Sequence, residues 1–244
     1  MTSGQKWAAG GTLVAVLAVV GEVLYLHHER NSTWTPPNAA VQQMTDPDDL
    51  VFLKKQRPST PADLKVLDGN TVWVSAGGQM DYFPCNGHHA DYGKSAGILL
   101  GAEPLMIKDA FEQVAPKSAP VRIPLGDRQV LLALTMPKSA DPAKEYALPV
   151  GYKEGKDYTF YTDDIFFYDD PHVLYQYWGP RIWQAIDSHQ VLLGMNERQV
   201  QLSLGQVFKS DSDKYGDRTS TFDNVGHPVD VTFVKNKVTA FHPD

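Results

Sequence analysis

The sequence predicts an α+β protein: an N-terminal transmembrane helix, a small antiparallel β-barrel or sandwich, and then a helix-helix-strand-strand module. Residues 8–26 form one long apolar run, residues 63–168 contain regularly spaced strand patterns, and residues 169–244 turn to helical patterns followed by alternating strands. The domains that follow are a membrane anchor at 1–30, a proline-containing linker at 31–62, a β-rich domain at 63–168 and an α+β module at 169–244.

The first apolar run has the length and the ends of a membrane span. Residues 8–26 read AAGGTLVAVLAVVGEVLYL, and a helix of that length, at about 1.5 Å per residue, matches the ~30 Å hydrocarbon core of a bilayer. Trp7 and Tyr25 stand at its two ends, where aromatic side chains prefer the headgroup region. We therefore expect a single-pass signal anchor with a periplasmic or otherwise extracytoplasmic body. The alternatives are a cleaved signal peptide and a buried soluble helix. The orientation stays open, because Lys6 and Arg30 place one positive charge on each side of the span.

The linker predicted at residues 31–62 is rich in proline. Its prolines prevent a continuous helix and favour an extended tether between the anchor and the body. Within the tether, Asp46 is a good N-cap and Pro47 fits the first turn of a helix, so one short helix is expected to begin there.

The β-rich region is predicted from short runs of β-branched, aromatic and aliphatic residues that are separated by turn signals. The predicted strands are residues 71–75, 98–100, 105–107, 121–123, 129–134, 146–150 and 158–161. Glycine-containing turns, such as the one at residues 68–70, divide them. Residues 108–114 are predicted to form one or two helical turns between strands.

The pattern becomes helical at residue 169. Asp170 followed by Pro171 predicts a helix start, and Gly179-Pro180 predicts a break and restart. The apolar positions that then fall near helical spacing, and that we expect to face a core up to a stop at Leu193-Gly194, are Ile182, Trp183, Ile186 and residues 191–193.

A second helix and a hairpin complete the chain. Asn196 with Gln199 three residues later resembles a capping box and predicts a helix start, and Gly205 predicts its end. Strands are predicted at residues 219–222, 230–234 and 237–241, the last two joined by a hairpin at Lys235-Asn236.

This order of elements, with the stretch LGMNERQV at residues 193–200 and Leu204-Gly205, resembles the BamE (SmpA/OmlA) module of bacterial envelope proteins. In that family a Gly-Met pair and a capping polar residue open the second helix, a valine points inward, and Leu-Gly closes it. The hairpin VDVTFVKNKVTAF at residues 229–241 is similar to the family's closing strands. The resemblance covers about seventy residues and implies a compact α+β module that serves as an interaction surface in the envelope.

The chain departs from the family in ways that bear on function. The best-known members are lipoproteins attached through an N-terminal cysteine, whereas this chain has an apolar run without one. Gln206 stands where the family often has a proline, and the first helical region is longer and more aromatic. The resemblance therefore does not imply outer-membrane placement or a role in β-barrel assembly.

The amino-acid composition limits the kinds of partner that the protein is expected to bind. The 42% of hydrophobic residues are enough for a buried core, and 29 acidic against 22 basic residues give a formal net charge of −7. An acidic body lacks the clustered Lys and Arg that nucleic acids require, so no nucleic-acid partner is expected. The single cysteine, Cys85, excludes an intramolecular disulfide.

One stretch, CNGHH at residues 85–89, is a candidate metal or thiol site. Cys85, His88 and His89 carry groups that bind zinc and copper. A closed metal site needs three or four ligands, however, and Asn86-Gly87 is alternatively a tight turn between strands. No nucleophile elbow, phosphate-binding loop or metalloprotease helix is present. The sequence therefore favours a non-enzymatic protein and predicts no cofactor.

The aromatic residues of the tail are the second candidate. Tyr175, Trp178 and Trp183 could line a groove for a protein partner, a lipid or a glycan, or they could form a core that joins two domains. The favoured function is a membrane-anchored, non-enzymatic cell-envelope protein that binds protein partners through residues of its body. The alternatives are an anchored metal- or thiol-dependent protein that uses the 85–89 site, and a lipid- or glycan-binding module.

Overall fold

The structure is a computed structural model that describes residue 22, residues 25–27 and residues 46–243. The chain divides into two units, residues 1–50 and residues 51–244. The predicted anchor at 8–26 lies almost entirely outside the described residues, as do residues 31–45 of the predicted linker. Among the residues described, none of the helices combines the length and the apolar character needed to cross a membrane.

The described part of the first unit includes a 3₁₀ turn at Pro47–Leu50. The side-chain oxygen of Asp46 accepts a hydrogen bond of 3.0 Å from the backbone N–H of Asp48. This contact confirms the helix start that was predicted at Asp46.

The second unit is α+β, with two antiparallel sheets and a few short helices, so the predicted class is confirmed at this level. The larger sheet has nine strands: β1 Thr71–Val74, β2 Asp81–Asn86, β3 His89–Ala90, β4 Gly97–Ile98, β5 Pro104–Gln113, β6 Arg128–Thr135, β7 Glu145–Glu154, β8 Asp157–Phe160 and β9 Phe166–Phe167. Their order in the sheet is β3-β2-β7-β6-β5-β1-β9, with β4 paired to β2 and β8 paired to β7.

Strand β6 is the centre of this sheet and is buried on both faces. Val130, Leu132 and Leu134 belong to the core on one face, whereas Leu131 and Ala133 belong to the core on the other. Because successive side chains of a strand point to opposite faces, a continuous apolar run is what a strand covered on both sides requires. The 3₁₀ helix Pro61–Leu67 covers the first face with Leu64 and Leu67.

Two local predictions in this region are wrong. Residues 108–114, predicted to be helical, belong mostly to β5, which pairs with β6 through a bulge between Ile107 and Asp109. The extra residue in the bulge interrupts the period-2 pattern and hides the strand. Residues 121–123 form a loop and not a strand, because Pro120 and Pro124 on either side have no N–H to donate to a ladder.

One side chain connects the edge strand β3 to β5, which lies four places away in the strand order. The amide of Gln113, in β5, donates to the backbone carbonyl of Ala90 at 2.9 Å and accepts from the N–H of Ala90 at 2.7 Å. This pair of hydrogen bonds copies the pairing that a neighbouring strand would make. The sheet therefore curls until β3 meets β5.

The helices of the second unit are short. They are α1 Thr162–Ile165, α2 Pro171–Leu174, α3 Pro180–Asp187 and α4 Glu197–Leu204, with 3₁₀ turns at Gln176–Trp178 and Asn224–Gly226. The capping box predicted for α4 is confirmed. The backbone N–H of Asn196 and that of Gln199 each donate to the side-chain oxygen of the other residue, both at 2.8 Å.

The predicted end of α3 is wrong. The helix ends at Asp187, and His189 adopts a positive φ of 53° that no helix can continue through. Ile186 and Val191 are buried as predicted, but the side chain of Leu193 is 63% exposed. Residues 188–194 therefore form a loop, and the helical spacing of their apolar residues does not predict which of them are buried.

The smaller sheet is a four-stranded antiparallel meander, β10 Val207–Ser210, β11 Thr219–Phe222, β12 Val229–Val234 and β13 Lys237–Pro243. Its hairpin prediction is confirmed: Lys235 and Asn236 form a two-residue turn with φ of 50° and 55°. Two positive φ values give the turn whose twist matches the flanking strands. The buried face of the meander packs against α3 and α4 in one core.

Three glycines bring the two sheet regions into backbone contact, and we name them the glycine seam: Gly77, Gly101 and Gly205. A Cβ placed on Gly101 would lie 2.0 Å from the carbonyl oxygen of Leu202 in α4, and a Cβ on Gly77 would lie 2.5 Å from the nitrogen of Gly101. Gly205, with φ of 92°, ends α4 directly against the carbonyl of Gly77. No other residue type fits these distances without moving the backbone.

We predict that Gly101→Ala lowers the free energy of unfolding by about 3 kcal/mol, the upper part of the range for overpacking, because its new methyl group would collide with a backbone carbonyl. Chemical denaturation of the full chain in detergent measures the change. Gly93→Ala is the matched control, since its nearest contact is the end of the Asp91 side chain at 3.2 Å. Equal stability of the two variants would contradict the close approach at the seam.

Candidate functional site

The candidate metal or thiol residues lie on the β2–β3 hairpin. Cys85 is near the end of β2, and Gly87, with φ of 62°, forms the turn that the sequence predicted. The thiol of Cys85 is half-buried and donates to the carbonyl of Gly87 at 2.9 Å. His89 begins β3 and is exposed. The hairpin geometry thus fixes the thiol against its own turn.

The surroundings of Cys85 disfavour the thiolate form of its side chain. Burial raises the pKa of the Cys85 thiol, and the nearby carboxylate of Glu145 raises it further. The thiolate is the nucleophile and the metal ligand in cysteine chemistry. A raised pKa therefore makes this cysteine a poor candidate for either role near neutral pH.

His88 is held by a different strand. Its Nε2 lies 2.7 Å from Oδ2 of Asp109 in β5, and its ring stacks on Phe111 with the centroids 5.4 Å apart. Burial raises the pKa of the Asp109 carboxyl, but the N–H of Ala110 and the His88 ring outweigh this and hold the pKa below its usual range. His88 attaches the hairpin to the sheet.

The structure does not bring the three predicted ligands into a cluster with further donors. Within residues 46–243 and the few described residues before them, no group of three His, Cys, Asp or Glu side chains is placed to hold a metal ion. The metal site at residues 85–89 therefore stays a prediction from the sequence, and the described residues form no group of three ligands around it.

Two of the three aromatic candidates are core residues. Tyr175 and Trp183 are buried, and the indole N–H of Trp183 donates to the carbonyl of Tyr175 at 3.1 Å. Trp178 is half-buried and stacks between them, with centroid distances of 4.4 Å to Tyr175 and 5.2 Å to Trp183. The cluster forms one side of the core shared by α3, α4 and the meander.

A histidine that the sequence did not single out extends this stack. The ring of His172 lies 4.1 Å from that of Trp183, its Nδ1 is 2.9 Å from Asp170, and its Nε2 is 3.2 Å from Asp187. Asp170 also caps α2, as predicted, by accepting from the N–H of His172. His172 thus connects the start of α2 to the end of α3.

A polar cleft that no sequence pattern indicated lies beside β1, and we name it the Trp73 cleft. Its volume is about 410 Å³, within the usual range for small-molecule sites. Its lining includes Lys54, Gln56, Asn70, Trp73, Tyr168 and Asp169. Trp73 is half-buried between the two core residues Val72 and Val74, so strand alternation turns it away from the core and toward the cleft.

One carboxylate fixes a wall of the Trp73 cleft. Asp163 accepts backbone N–H bonds from Gln56 at 2.8 Å and from Arg57 at 3.0 Å, and the hydroxyl of Tyr168 donates to it at 2.9 Å. Burial raises the pKa of the Asp163 carboxyl, but these hydrogen bonds and the charge of Lys55 outweigh it and hold the pKa below its usual range. The segment that carries Gln56 is therefore locked by a charged acceptor.

A second cleft, of about 590 Å³, lies next to the glycine seam, since its lining includes Ala76 and Gln206, the chain neighbours of Gly77 and Gly205. Met80, Ile123 and Ile165 form apolar parts of its lining, and Arg122 and Asp164 stand at its polar parts. Arg122 is already engaged, since its Nε donates to Asp81 at 2.7 Å and one Nη donates to the carbonyl of Gly78 at 3.3 Å. The cleft has no unpaired guanidinium fork ready for a ligand.

We predict that Cys85 reacts slowly with iodoacetamide and that the midpoint of its rate against pH lies above that of a free cysteine. The reason is that a raised pKa lowers the thiolate fraction at every pH below it. Alkylation followed by mass spectrometry measures the rate in the folded full chain and, as the control, in the chain unfolded by urea. A midpoint at or below the unfolded value would restore the reactive-thiol hypothesis.

We predict that Asp163→Asn lowers the free energy of unfolding at neutral pH by about 2 kcal/mol. The N–H groups of Gln56 and Arg57 donate to different carboxylate oxygens, and the substitution turns one of these oxygens into an NH2 group that cannot accept. The pKa of Asp163 is lower in the folded chain, so its stabilisation is present above the unfolded pKa and is lost as the pH falls through the folded pKa. The difference between variant and parent should therefore shrink in acid. Denaturant titrations at several pH values test this.

Asp164→Asn is the control for that experiment, because Asp164 is the neighbouring carboxyl but is exposed. An Asp163 effect that is no larger than the Asp164 effect, or that does not change with pH, would contradict the role of the Asp163 carboxylate as the acceptor that fixes residues 56 and 57.

Comparison with known proteins adds no assignment: no protein-family model matches this chain, and neither does any curated protein or solved structure.

Proposed function

We propose that this chain is a membrane-anchored, non-enzymatic cell-envelope protein whose body binds protein partners as an interaction or assembly accessory. The apolar run at residues 8–26 is the proposed single-pass signal anchor. The acidic body is proposed to lie outside the cytoplasm. The sequence supports the anchor, and the fold of the body supports the binding role.

The tail carries the proposal of a BamE-like interaction module. Two short helices, α3 and α4, pack on one face of a four-stranded meander and share its core through Val200, Phe222 and Phe233. A helix pair followed by antiparallel strands is the arrangement that the resemblance implies. The capping box at Asn196 and the hairpin at Lys235-Asn236 lie at the positions that the motif indicated.

The single observation that best supports a binding surface is Phe208 in β10. Its side chain is 79% exposed, although it is a large aromatic ring. It lies in a bulge between Val207 and Lys209, and β10 pairs only with β11 among the described strands. Bulges on edge strands limit indiscriminate strand pairing while they direct a side chain outward. A ring presented in this way fits the apolar anchor of a protein interface.

The β-rich region is proposed to act as a partly closed barrel that carries this module. The amide of Gln113 supports partial closure, because it bridges β3 and β5 where no backbone pairing is made. The metal- or thiol-dependent alternative is not proposed, since Cys85 is bonded to its own turn and His88 is paired with Asp109.

We predict that a photoreactive phenylalanine analogue at position 208 crosslinks one discrete partner in intact membranes. The same analogue at Val114, which is 59% exposed but lies beyond the end of β5, is the control and should give no such adduct. Mass spectrometry identifies the partner. The same partner should also be lost when Phe208→Ala protein is purified natively, with thermal stability unchanged because the side chain is exposed.

Two results would overturn the proposal. Equal adducts at positions 208 and 114, or none at either, would remove the interface at β10. Release of the full chain from membranes by salt alone would remove the anchor, because a spanning helix is held by its apolar surface and not by charge.

A further inference from the structure

The Trp73 cleft combines aromatic faces with side chains that both donate and accept hydrogen bonds. Trp73 and Tyr168 are half-buried and supply ring surface. Asn70 and Gln56 carry amides, which have donors and acceptors side by side, and Thr71 adds a hydroxyl. A ligand that fits this lining has an apolar face for the rings and many small polar groups around its edge.

The charges at the cleft exclude one large class of ligands. Asp169 and Asp170 place two carboxylates at the lining, against the single ammonium of Lys54. Phosphates and other anions would meet this excess of negative charge. Carboxylates are, however, strong acceptors for hydroxyl groups, and a lysine is a donor. The lining therefore favours a neutral ligand that is rich in hydroxyls.

The cleft is organised before any ligand arrives. Asp163 locks the backbone at Gln56 and the hydroxyl of Tyr168, as described above. Asn70 donates its side-chain N–H to the carbonyl of Val66 at 2.8 Å, which fixes the orientation of its amide. Side chains that are already fixed lose little freedom on binding, so more of the contact energy is expressed as affinity.

From these observations we propose that the Trp73 cleft binds a neutral saccharide. The C–H face of a pyranose ring packs on Trp73, and its hydroxyls donate to Asp169 and exchange hydrogen bonds with Gln56 and Asn70. The volume of about 410 Å³ accommodates a short oligosaccharide segment and not a long chain. The inference goes beyond the proposed function and does not depend on the anchor or on β10.

The test is a titration of the full chain, labelled at its indole nitrogens, in an amine-oxide detergent, since sugar-headed detergents would compete. The probes are the trisaccharides maltotriose, cellotriose and tri-N-acetylchitotriose, each at up to ~10 mM, which covers a Kd of about 1 mM. The chain has five tryptophans, and the spectrum of Trp73→Phe assigns the Trp73 signal. We expect a saturable shift of that signal with at least one trisaccharide.

Two variants decide whether the cleft is the site. Asp169→Asn, at an exposed position where folding is not at risk, should weaken binding at least about tenfold, the loss expected from removing a charged acceptor. Trp73→Ala should abolish it. Asp164→Asn removes a carboxyl from the other cleft and is the matched control, so its affinity should equal that of the parent chain.

Further measurements distinguish a polymeric from a free source of the saccharide, and a saccharide from a nucleoside ligand. Co-sedimentation with insoluble cellulose and chitin shows whether the same saccharide is taken from a polymer or only as a free oligosaccharide, and either result supports the site. No shift of the Trp73 signal with any trisaccharide would overturn the proposal. So would a larger shift with adenosine, or equal weakening by Asp164→Asn and Asp169→Asn.

Discussion

The placement of the two sheet regions depends on the direct backbone contact at the glycine seam. Gly77 and Gly101 come from loops of the larger sheet, and Gly205 ends α4 in the tail. The N–H of Gln206 donates to the carbonyl of Gly77 at 3.2 Å, so the chain enters β10 directly from this contact. The relative position of the larger sheet and the meander is therefore set by main-chain atoms, which cannot change rotamer as side chains do.

Single carboxylates perform a similar task where loops must be fixed. Glu197, at the start of α4, is fully buried and accepts from the N–H of Gly216 at 2.8 Å and from Nε of Arg218 at 2.9 Å. It connects the helix to the loop before β11, as Asp163 connects residues 56 and 57 to α1. A buried carboxylate is tolerated only when it is paired and hydrogen-bonded, and Glu197 meets this condition through Arg218 and Gly216. Part of the acidic composition thus has a structural use.

The sequence predicted elements whose signals are local. The capping box at Asn196, the hairpin at Lys235-Asn236 and the strand at residues 129–134 each depend on neighbouring residues, and each is confirmed. The prediction divided β5 into a strand and a helical segment, because a bulge interrupts the alternation of its side chains. The prediction missed β2, because that strand contains Pro84. The Trp73 cleft could not have been predicted, since residues 54–57, 70–73 and 168–170 meet only through the tertiary fold.

The bridge made by Gln113 has a consequence for the chain as it ages. The side-chain amide of Gln113 makes two hydrogen bonds of the kind that a neighbouring strand would make, and it needs both its oxygen and its nitrogen to do so. Hydrolysis of that amide to an acid would replace the donor with a negative oxygen that faces the carbonyl of Ala90, and two acceptors repel each other. Spontaneous chemical damage at one atom would then weaken the contact between β3 and β5, and the pair of His88 and Asp109 would be left to hold the hairpin against β5.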